Sequence, residues 1–339
     1  MLATFIHAVP QLVPTDGEWI TFDVNSLAQN FWSVTFDGLT FGAIYALVAL
    51  GYTLVYGVLN LINFAHSEVF IVGCYGVVFT LTALGFGPSA PRLDIWSIML
   101  NLVLAMVVAM ILSAVTAFVI ERLAYRPLRR KNAPRLVFLI TAIGASYTIQ
   151  YLIFLWRGAN PEPAVIMFKP TPVFEIFGSI IDSQQIVIVV AAFIMMVIVD
   201  QFIRRSRTGR GIRAVAQDPD TATLMGVNKD RIIVTTFVIG GVLAGAAALF
   251  YVMKVPSGVV YSGGFVLGIK AFAAAVLGGI GNVRGALLGG LLLGLIGNYG
   301  QILLGNSQWT DVVAFVVLVL VLLIRPQGIL GQSLGRSKA

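Results

Sequence analysis

Long apolar stretches, separated by short polar or glycine-rich breaks, run through almost the whole chain. Each is a continuous run of roughly 20 apolar residues rather than an alternation of apolar and polar positions, which is typical of helices that cross a membrane. The second and the seventh to ninth are interrupted by polar residues or glycine, so we expect about eight to nine spans. The predicted segments are 34–57, 62–85, 96–121, 136–156, 185–203, 231–253, 264–280, 284–304 and 309–324.

The composition supports a membrane protein built from helices. Hydrophobic residues make up 58% of the chain and charged residues 11%, whereas a soluble domain carries about 25% charged residues. Because lipid offers no hydrogen-bond partners, a spanning backbone must form helices or a closed barrel, and continuous apolar runs favour helices. The predicted fold class is therefore all-α, a polytopic bundle of membrane helices.

The net charge of +7 comes from basic residues concentrated in a few loops. Two loops, residues 122–135 and 204–231, hold most of them. Loops rich in Lys and Arg stay in the cytoplasm, so the pattern indicates membrane topology and not nucleic-acid binding. We therefore predict an extracytoplasmic segment over 1–33, a transmembrane domain over 34–325 and a cytoplasmic tail over 326–339.

The basic loop 204–231 contains a short helix with its own start and stop signals, in the stretch AQDPDTATLMGVN. Each position of a capped helix is occupied by a residue that suits it. These are Asp218 at the N-cap, Pro219 at the first position, Asp220 and Thr221 in the first turn, and Gly226 at the left-handed position beyond the end. Such a helix docks on its own bundle, on the membrane surface or on a cytoplasmic partner. We predict a docking helix for a partner, with Arg213 just before it.

Polar side chains at membrane depth mark a second candidate site, in the stretch INFAHSEVF. Asn60, Asn63, His66 and Glu68 lie between or within apolar runs. Ionisable groups in lipid are costly and face a bundle interior or an aqueous cavity. A break between the first two segments would leave a broken helical pair, the arrangement that transporters use around a substrate site. We predict that these residues line a substrate pathway, with ordinary interhelical hydrogen bonding as the alternative.

Lys270 joins this pathway set because it lies in the apolar, glycine-flanked run GFVLGIKAFAAAVLGG. Glu68 and Lys270 are the two charged residues deepest in apolar runs. This placement motivates the hypothesis that they form an ion pair.

No catalytic or metal-binding pattern is present in the sequence. The chain has one cysteine and two histidines, so a disulfide framework or a Cys/His metal cluster is not expected. GGIGNVRG matches neither the G-x-G-x-x-G nor the G-x-x-x-x-G-K-[ST] nucleotide motif. We therefore expect neither catalytic residues, a metal nor a bound cofactor on this chain.

Five stretches together resemble the LivH-type permeases of branched-chain amino-acid ABC importers. The resemblance covers roughly residues 35–331, and Asn60, Asn63, His66 and Glu68 match the NFAH-x-E region of that family. The stretches, in chain order, are GLTFGAIYALVALGYTLVYGVLNLINFAHSEVFIVGCYG, IERLAYRPLRR, SRTGRGIRAVAQDPDTATLMGVNKDRII, IKAFAAAVLGGIGNVRGALLGGLLLG and VLLIRPQGILG.

The resemblance implies a multi-pass permease of the bacterial inner membrane, with broken or short helices, that transports branched-chain amino acids. It also implies partners: two cytoplasmic ATPases that bind ATP and Mg²⁺, a second related permease, and an extracytoplasmic solute-binding protein. The loop 211–228 is similar to the segment by which importer permeases contact the ATPase. Open alternatives are a urea or short-amide importer, an ATP-independent carrier, a channel, and a membrane-embedded enzyme.

Overall fold

A computed structural model describes residues 22, 24–87, 94–163, 165–167, 171–176, 179–255, 258–306, 309–325 and 327–331. Most of the predicted extracytoplasmic segment 1–33 and of the predicted tail 326–339 lies outside these residues. The described chain is helical except for one β-hairpin and the connecting loops.

The described residues form thirteen α-helices, a π-helical turn and two strands, which loops connect. They are α1 Val24–Gln29, α2 Phe31–Leu59, α3 His66–Ala83, α4 Ile95–Ile120, the π-turn Glu121–Tyr125, α5 Arg126–Arg130, α6 Arg135–Arg157, β1 Pro172–Ile176, β2 Ser179–Asp182, α7 Ser183–Arg205, α8 Arg207–Gln217, α9 Pro219–Leu224, α10 Lys229–Lys254, α11 Gly263–Gly278, α12 Val283–Leu303 and α13 Trp309–Ile324.

Each of the nine apolar segments coincides with a helix: α2, α3, α4, α6, α7, α10, α11, α12 or α13. Seven of these helices, with α4 counted together with the π-turn and α5, are long and apolar enough to cross a membrane. The other two, α11 and α13, are shorter apolar helices. The all-α fold with broken and short helices is therefore confirmed.

Helix α2 forms the centre of the bundle and packs against α10, α11 and α12. It is buried continuously from Gly42 to Val55, as expected of a helix that is apolar on all sides. Helix α12 approaches it through Gly294. A Cβ at this position would overlap backbone atoms of Gly38 and Gly42, so the glycine permits direct backbone contact.

Helices α4, α6 and α7 form the outside of the bundle. They expose large apolar side chains such as Leu100, Ile111, Leu155 and Phe193. These surfaces suit contact with lipid tails, whereas the same exposure in water would be costly.

The two ends of the bundle differ in charge. At one end the π-turn, α5, α8, α9 and the 279–284 turn come together, and Arg129 pairs with Asp230 at 2.9 Å while Arg284 pairs with Asp200 at 3.7 Å. We name this the basic end. Both strongly basic loops lie here, in keeping with the single side of the membrane predicted for them.

The opposite end carries the antiparallel hairpin of β1 and β2, in which Phe174 faces Ile181. Asp182, the last residue of β2, caps α7 in a capping box with Gln185. Lys254 pairs with Asp37 at 2.5 Å, so the outer ends of α10 and α2 are tied together.

Candidate functional site

The connection between α2 and α3 is a break in the helical structure inside the bundle. Asn60 ends α2 in the left-handed conformation, with φ of 52°. The chain is then non-helical until His66, where α3 begins. Asparagine tolerates this conformation better than most residues because its short side chain can hydrogen-bond locally.

Helix α3 begins deep inside the bundle. The His66 ring lies against Gly51 of α2 and Gly240 of α10. Gly51 precedes the end of α2 by eight residues, which at 1.5 Å per residue is about 12 Å from the basic end of that helix. The first turn of α3 therefore lies about 12 Å inside the bundle, measured along α2. The predicted broken pair is therefore present.

Glu68 is the charged group at this break. It lies in the first turn of α3, where a negative charge is favoured by the helix dipole. Its exposure is 0%, and its Oε1 accepts a hydrogen bond of 3.2 Å from the Ser146 hydroxyl near the middle of α6. Its Oε2 has no hydrogen-bond partner among the described residues. A buried carboxylate oxygen without a donor is costly and indicates a site that takes up a further donor.

Helix α11 faces Glu68 with glycines rather than side chains. A Cβ at Gly264 would lie 3.2 Å from Glu68 Oε2, and Gly268 lies against Ser67 and the Tyr52 hydroxyl. A cavity of about 170 Å³ adjoins this region. Its lining consists of Phe64, Ile143, Ser146, Tyr147, Gln150, Ser262 and Phe265. The cavity is smaller than the roughly 300–1,000 Å³ of most ligand sites, but it shares their mainly apolar lining with a few polar groups.

His66 lies in the same buried group. Its ring packs edge-on against Tyr52, with 4.8 Å between the ring centroids. Its Nε2 has no hydrogen-bond partner among the described residues. The first turn of α3 therefore holds two buried polar atoms, on His66 and Glu68, that the described residues leave unpartnered.

The proposed ion pair between Glu68 and Lys270 is wrong in this structure. Lys270 Nζ pairs with Asp311 Oδ1 of α13 at 2.5 Å and lies 5.9 Å from the centroid of the Tyr45 ring. Asp311 is in the first turn of α13, so in the sequence it resembled a residue at the edge of a segment. Because α13 is short, its first turn reaches the depth of Lys270.

The two asparagines of the break have different positions. Asn60 is exposed at the end of α2 and is not part of the buried group. Asn63 is buried, and its Oδ1 accepts hydrogen bonds from Ala65 N–H at 3.2 Å and from the Tyr125 hydroxyl at 2.9 Å. The Tyr125 contact joins the break to the π-turn at the basic end, and no sequence pattern predicts it.

The short capped helix predicted in the basic loop is present as α9, whereas its docking on a partner stays a prediction. The Asp218 carboxylate accepts hydrogen bonds from the backbone N–H groups of Asp220 and Thr221. The Thr221 hydroxyl, followed by these N–H groups, lowers the pKa of Asp218 because their hydrogen bonds favour the ionised carboxylate. Gly226 follows the helix with φ of 83°, the left-handed conformation expected after a helix end.

The tip of α9 presents apolar side chains to solvent. Leu224 is 88% exposed and Met225 is 81% exposed at the basic end. Arg213 of α8 donates to the backbone carbonyls of Ile203 and Arg204, the last turn of α7. Arg213 therefore fixes α8 against the bundle, while the apolar tip of α9 is free to contact a partner.

The region that matches a known protein family includes both of these sites. Residues 34–322 match the family described as the permease component of the branched-chain amino acid transport system. The chain belongs to this family. Both the break between α2 and α3 and helix α9 lie inside the matched region. Among the described residues of the permease, no group of three or more His, Cys, Asp and Glu is placed to hold a metal ion.

Relatives of the permease align over nearly its full length. The high-affinity branched-chain amino acid transport system permease protein BraD of Pseudomonas aeruginosa is 44% identical over 300 residues, which cover 87% of this chain and 94% of the relative. The corresponding LivH protein of Escherichia coli K12 is 40% identical over 309 residues, covering 89% and 96%. A probable LivH protein of Methanocaldococcus jannaschii is 26% identical over 305 residues, covering 86% and 90%.

A solved structure, PsaBC from Streptococcus pneumoniae in complex with Fab, matches the permease with a TM-score of 0.44 and 12% sequence identity, covering 96% of this chain and 97% of that one. This likeness is too distant to support an argument. Family membership and the apolar helices identify the permease as a multi-pass protein of the bacterial inner membrane.

Proposed function

We propose that this permease forms the pathway of an ATP-driven importer of branched-chain amino acids. The full-length similarity to permeases named for that substrate supports the proposal. The carrying structural observation is Glu68, a buried carboxylate that Ser146 connects to the wall of a small cavity. An amino acid with an aliphatic side chain has an ammonium group for a carboxylate and an apolar part for such a cavity.

In this proposal Asn63, His66 and Glu68 line the pathway at the break before α3. Glu68 receives the ammonium group of the substrate at Oε2, the oxygen that Ser146 does not bond. The glycines of α11 leave room for the substrate next to the carboxylate. Motion of the bundle then exposes this region alternately to the two sides of the membrane.

The partners in this proposal divide between the two ends. The basic end is cytoplasmic, and α9 docks there on one of two ATPase subunits, which carry ATP and Mg²⁺. Leu224 and Met225 provide its apolar contact. The opposite end receives the substrate from a solute-binding protein, and a second, related permease completes the pathway.

Uptake of labelled leucine tests the function. In a strain that lacks this gene, we expect ATP-dependent leucine uptake to be lost and to return when the gene is restored. Glu68→Gln is expected to restore about tenfold less uptake or worse, since a hydrogen bond to a charged group contributes about 1.5–3 kcal/mol and about 1.4 kcal/mol is a factor of ten.

Two controls accompany this test. Glu175→Gln removes an exposed carboxylate on β1 and is expected to restore full uptake. Labelled urea, measured in the same cells, is expected to enter equally with and without the gene. If urea uptake alone depended on the gene, the substrate assignment would be wrong, and uptake that survives ATP depletion would contradict an ATP-driven importer.

A charge reversal at Asp218 tests the docking helix. Asp218→Arg removes the N-cap, which contributes about 1 kcal/mol, and places a positive charge at the positive end of the helix dipole. We expect membrane insertion to be unaffected and the stimulation of the partner ATPase by substrate-loaded binding protein to be lost. The measurement is ATP hydrolysis by the reconstituted importer.

Asp94→Arg is the matched control for this reversal. Asp94 also occupies an N-cap position, before α4, but its side chain makes no cap hydrogen bond. Asp94→Arg should leave the stimulation of ATP hydrolysis unchanged. Normal stimulation in a well-inserted Asp218→Arg variant would show that α9 is not the contact.

A further inference from the structure

A cluster of charged side chains lies directly behind the docking helix, at the basic end. Arg129 Nη2 is 2.9 Å from Glu121 Oε1 and 2.9 Å from Asp230 Oδ1. Arg126 Nη2 is 3.8 Å from the other oxygen of Asp230. Asp230 is in the first turn of α10. Because only a short link joins α9 to α10, displacement of α9 acts on the position of Asp230.

The charged cluster has a second available arrangement. Glu121 is 0% exposed, and its Oε2 has no partner among the described residues. Arg129 Nη1 is likewise without a partner there. One free donor and one free acceptor on an already bonded pair permit a two-point Arg–carboxylate contact. Withdrawal of Asp230 would favour this contact and would give the cluster a second arrangement.

The other end of the π-turn reaches the break before α3. Glu121 is its first residue and Tyr125 its last. The buried Tyr125 hydroxyl donates to Asn63 Oδ1 at 2.9 Å. The same Asn63 oxygen accepts from Ala65 N–H, and the Asn63 carbonyl accepts from His66 N–H at 3.1 Å. A shift of Tyr125 therefore acts on the residues that set the start of α3 and the position of Glu68.

We propose that Tyr125 is a positioning residue that transmits movement of the docking helix to the substrate pathway. The route runs from α9 through Asp230, Arg129, Glu121 and Tyr125 to Asn63. A π-helical turn inside a long helix is a frequent feature of functional sites, because its extra residue is easily absorbed or released. A physical coupling mechanism requires an element with two states that both sites bias, and in this proposal that element is the charged cluster. This inference rests on the proposed docking of an ATPase at α9.

Tyr125→Phe tests the route by removing a single hydroxyl. In proteoliposomes that contain the complete importer, we expect ATP hydrolysis to be stimulated as before, while leucine transported per ATP falls roughly fivefold, the effect of losing about 1 kcal/mol of buried hydrogen bonding. Tyr151→Phe, on the exposed face of α6, is the matched control and should leave the ratio unchanged. A normal ratio in the Tyr125→Phe importer would overturn the proposal.

A double-variant experiment separates coupling from local damage. Asp230→Asn weakens the far end of the route. If both residues act in series, adding Tyr125→Phe to Asp230→Asn should cause no further loss of transport per ATP. We therefore expect the double variant to transport leucine per ATP at the ratio of the more severe single variant. If the losses of the two single variants multiplied in the double variant, the two effects would be independent and the route would be wrong.

A labelling experiment reports on the route without any transported substrate. The chain has one cysteine, Cys74, which is buried, so an added Leu61→Cys provides a single accessible thiol in the break. Its rate of reaction with a maleimide should change on ATP binding to the complex with native Tyr125, and not with Tyr125→Phe. If leucine proves not to be the substrate, this result still stands; an equal change in both proteins would contradict the route.

Discussion

Replacing Gly294 by leucine is expected to have the largest effect on stability of any change proposed for this permease. The substituted Cβ would overlap the backbone of Gly38 and Gly42, and backbone cannot move aside as a flexible side chain can. Overpacking costs about 1–3 kcal/mol when side chains yield and more when they cannot. We therefore expect a loss of at least about 3 kcal/mol, read as thermal unfolding of the detergent-solubilised protein.

Gly144→Leu is the matched control for this substitution. Gly144 is an exposed glycine within α6, and a Cβ there would meet no atom within 4 Å. The change should alter stability by no more than about 0.5 kcal/mol. Equal thermal unfolding of the two variants would mean that α2 and α12 are not held in direct backbone contact.

Arg129→Ala is expected to produce the second large loss. It leaves the fully buried Glu121 without its 2.9 Å partner, and an unpaired buried charge costs about 3–5 kcal/mol. The free energy of unfolding of the solubilised protein is the measurement. Arg122→Ala, which removes an exposed cation from the same π-turn, should have little effect.

A double replacement distinguishes an unpaired charge from lost packing. Glu121→Met combined with Arg129→Met removes both charges while retaining volume, and buried pairs replaced in this way are often neutral or stabilising. We expect it to recover most of the stability that Arg129→Ala loses. If stability did not recover, the loss in Arg129→Ala would come from the packing of the aliphatic part of the Arg129 side chain.

The sequence predicted the helices well because each one is a run of apolar residues long enough to be recognised without its neighbours. The cap of α9 was equally predictable, since Asp218, Pro219 and Gly226 act on the backbone within a few residues. Such features depend on local chemistry, and the structure adds only their placement at the basic end.

Contacts between distant residues could not be predicted in the same way. The pairing of Lys270 with Asp311 depends on how deep the first turn of α13 lies, which follows from packing rather than from hydropathy. Glu121 ended a predicted apolar segment and Arg129 lay in the basic loop after it, but nothing there indicated that the two would form a buried pair. The hydroxyl of Tyr125 reaches Asn63 across 62 positions of the chain, and no periodicity reports such a contact.

The depth at which α3 begins has a consequence for how the protein is made. Helix α3 has 18 residues, with Glu68 in its first turn, and a carboxylate is poorly accepted at the centre of the membrane by the insertion machinery. Its buried polar side chains contact Tyr52 on α2 and Ser146 on α6. Because Ser146 belongs to α6, the Glu68 carboxylate obtains this partner only after α4 and α6 have been synthesised.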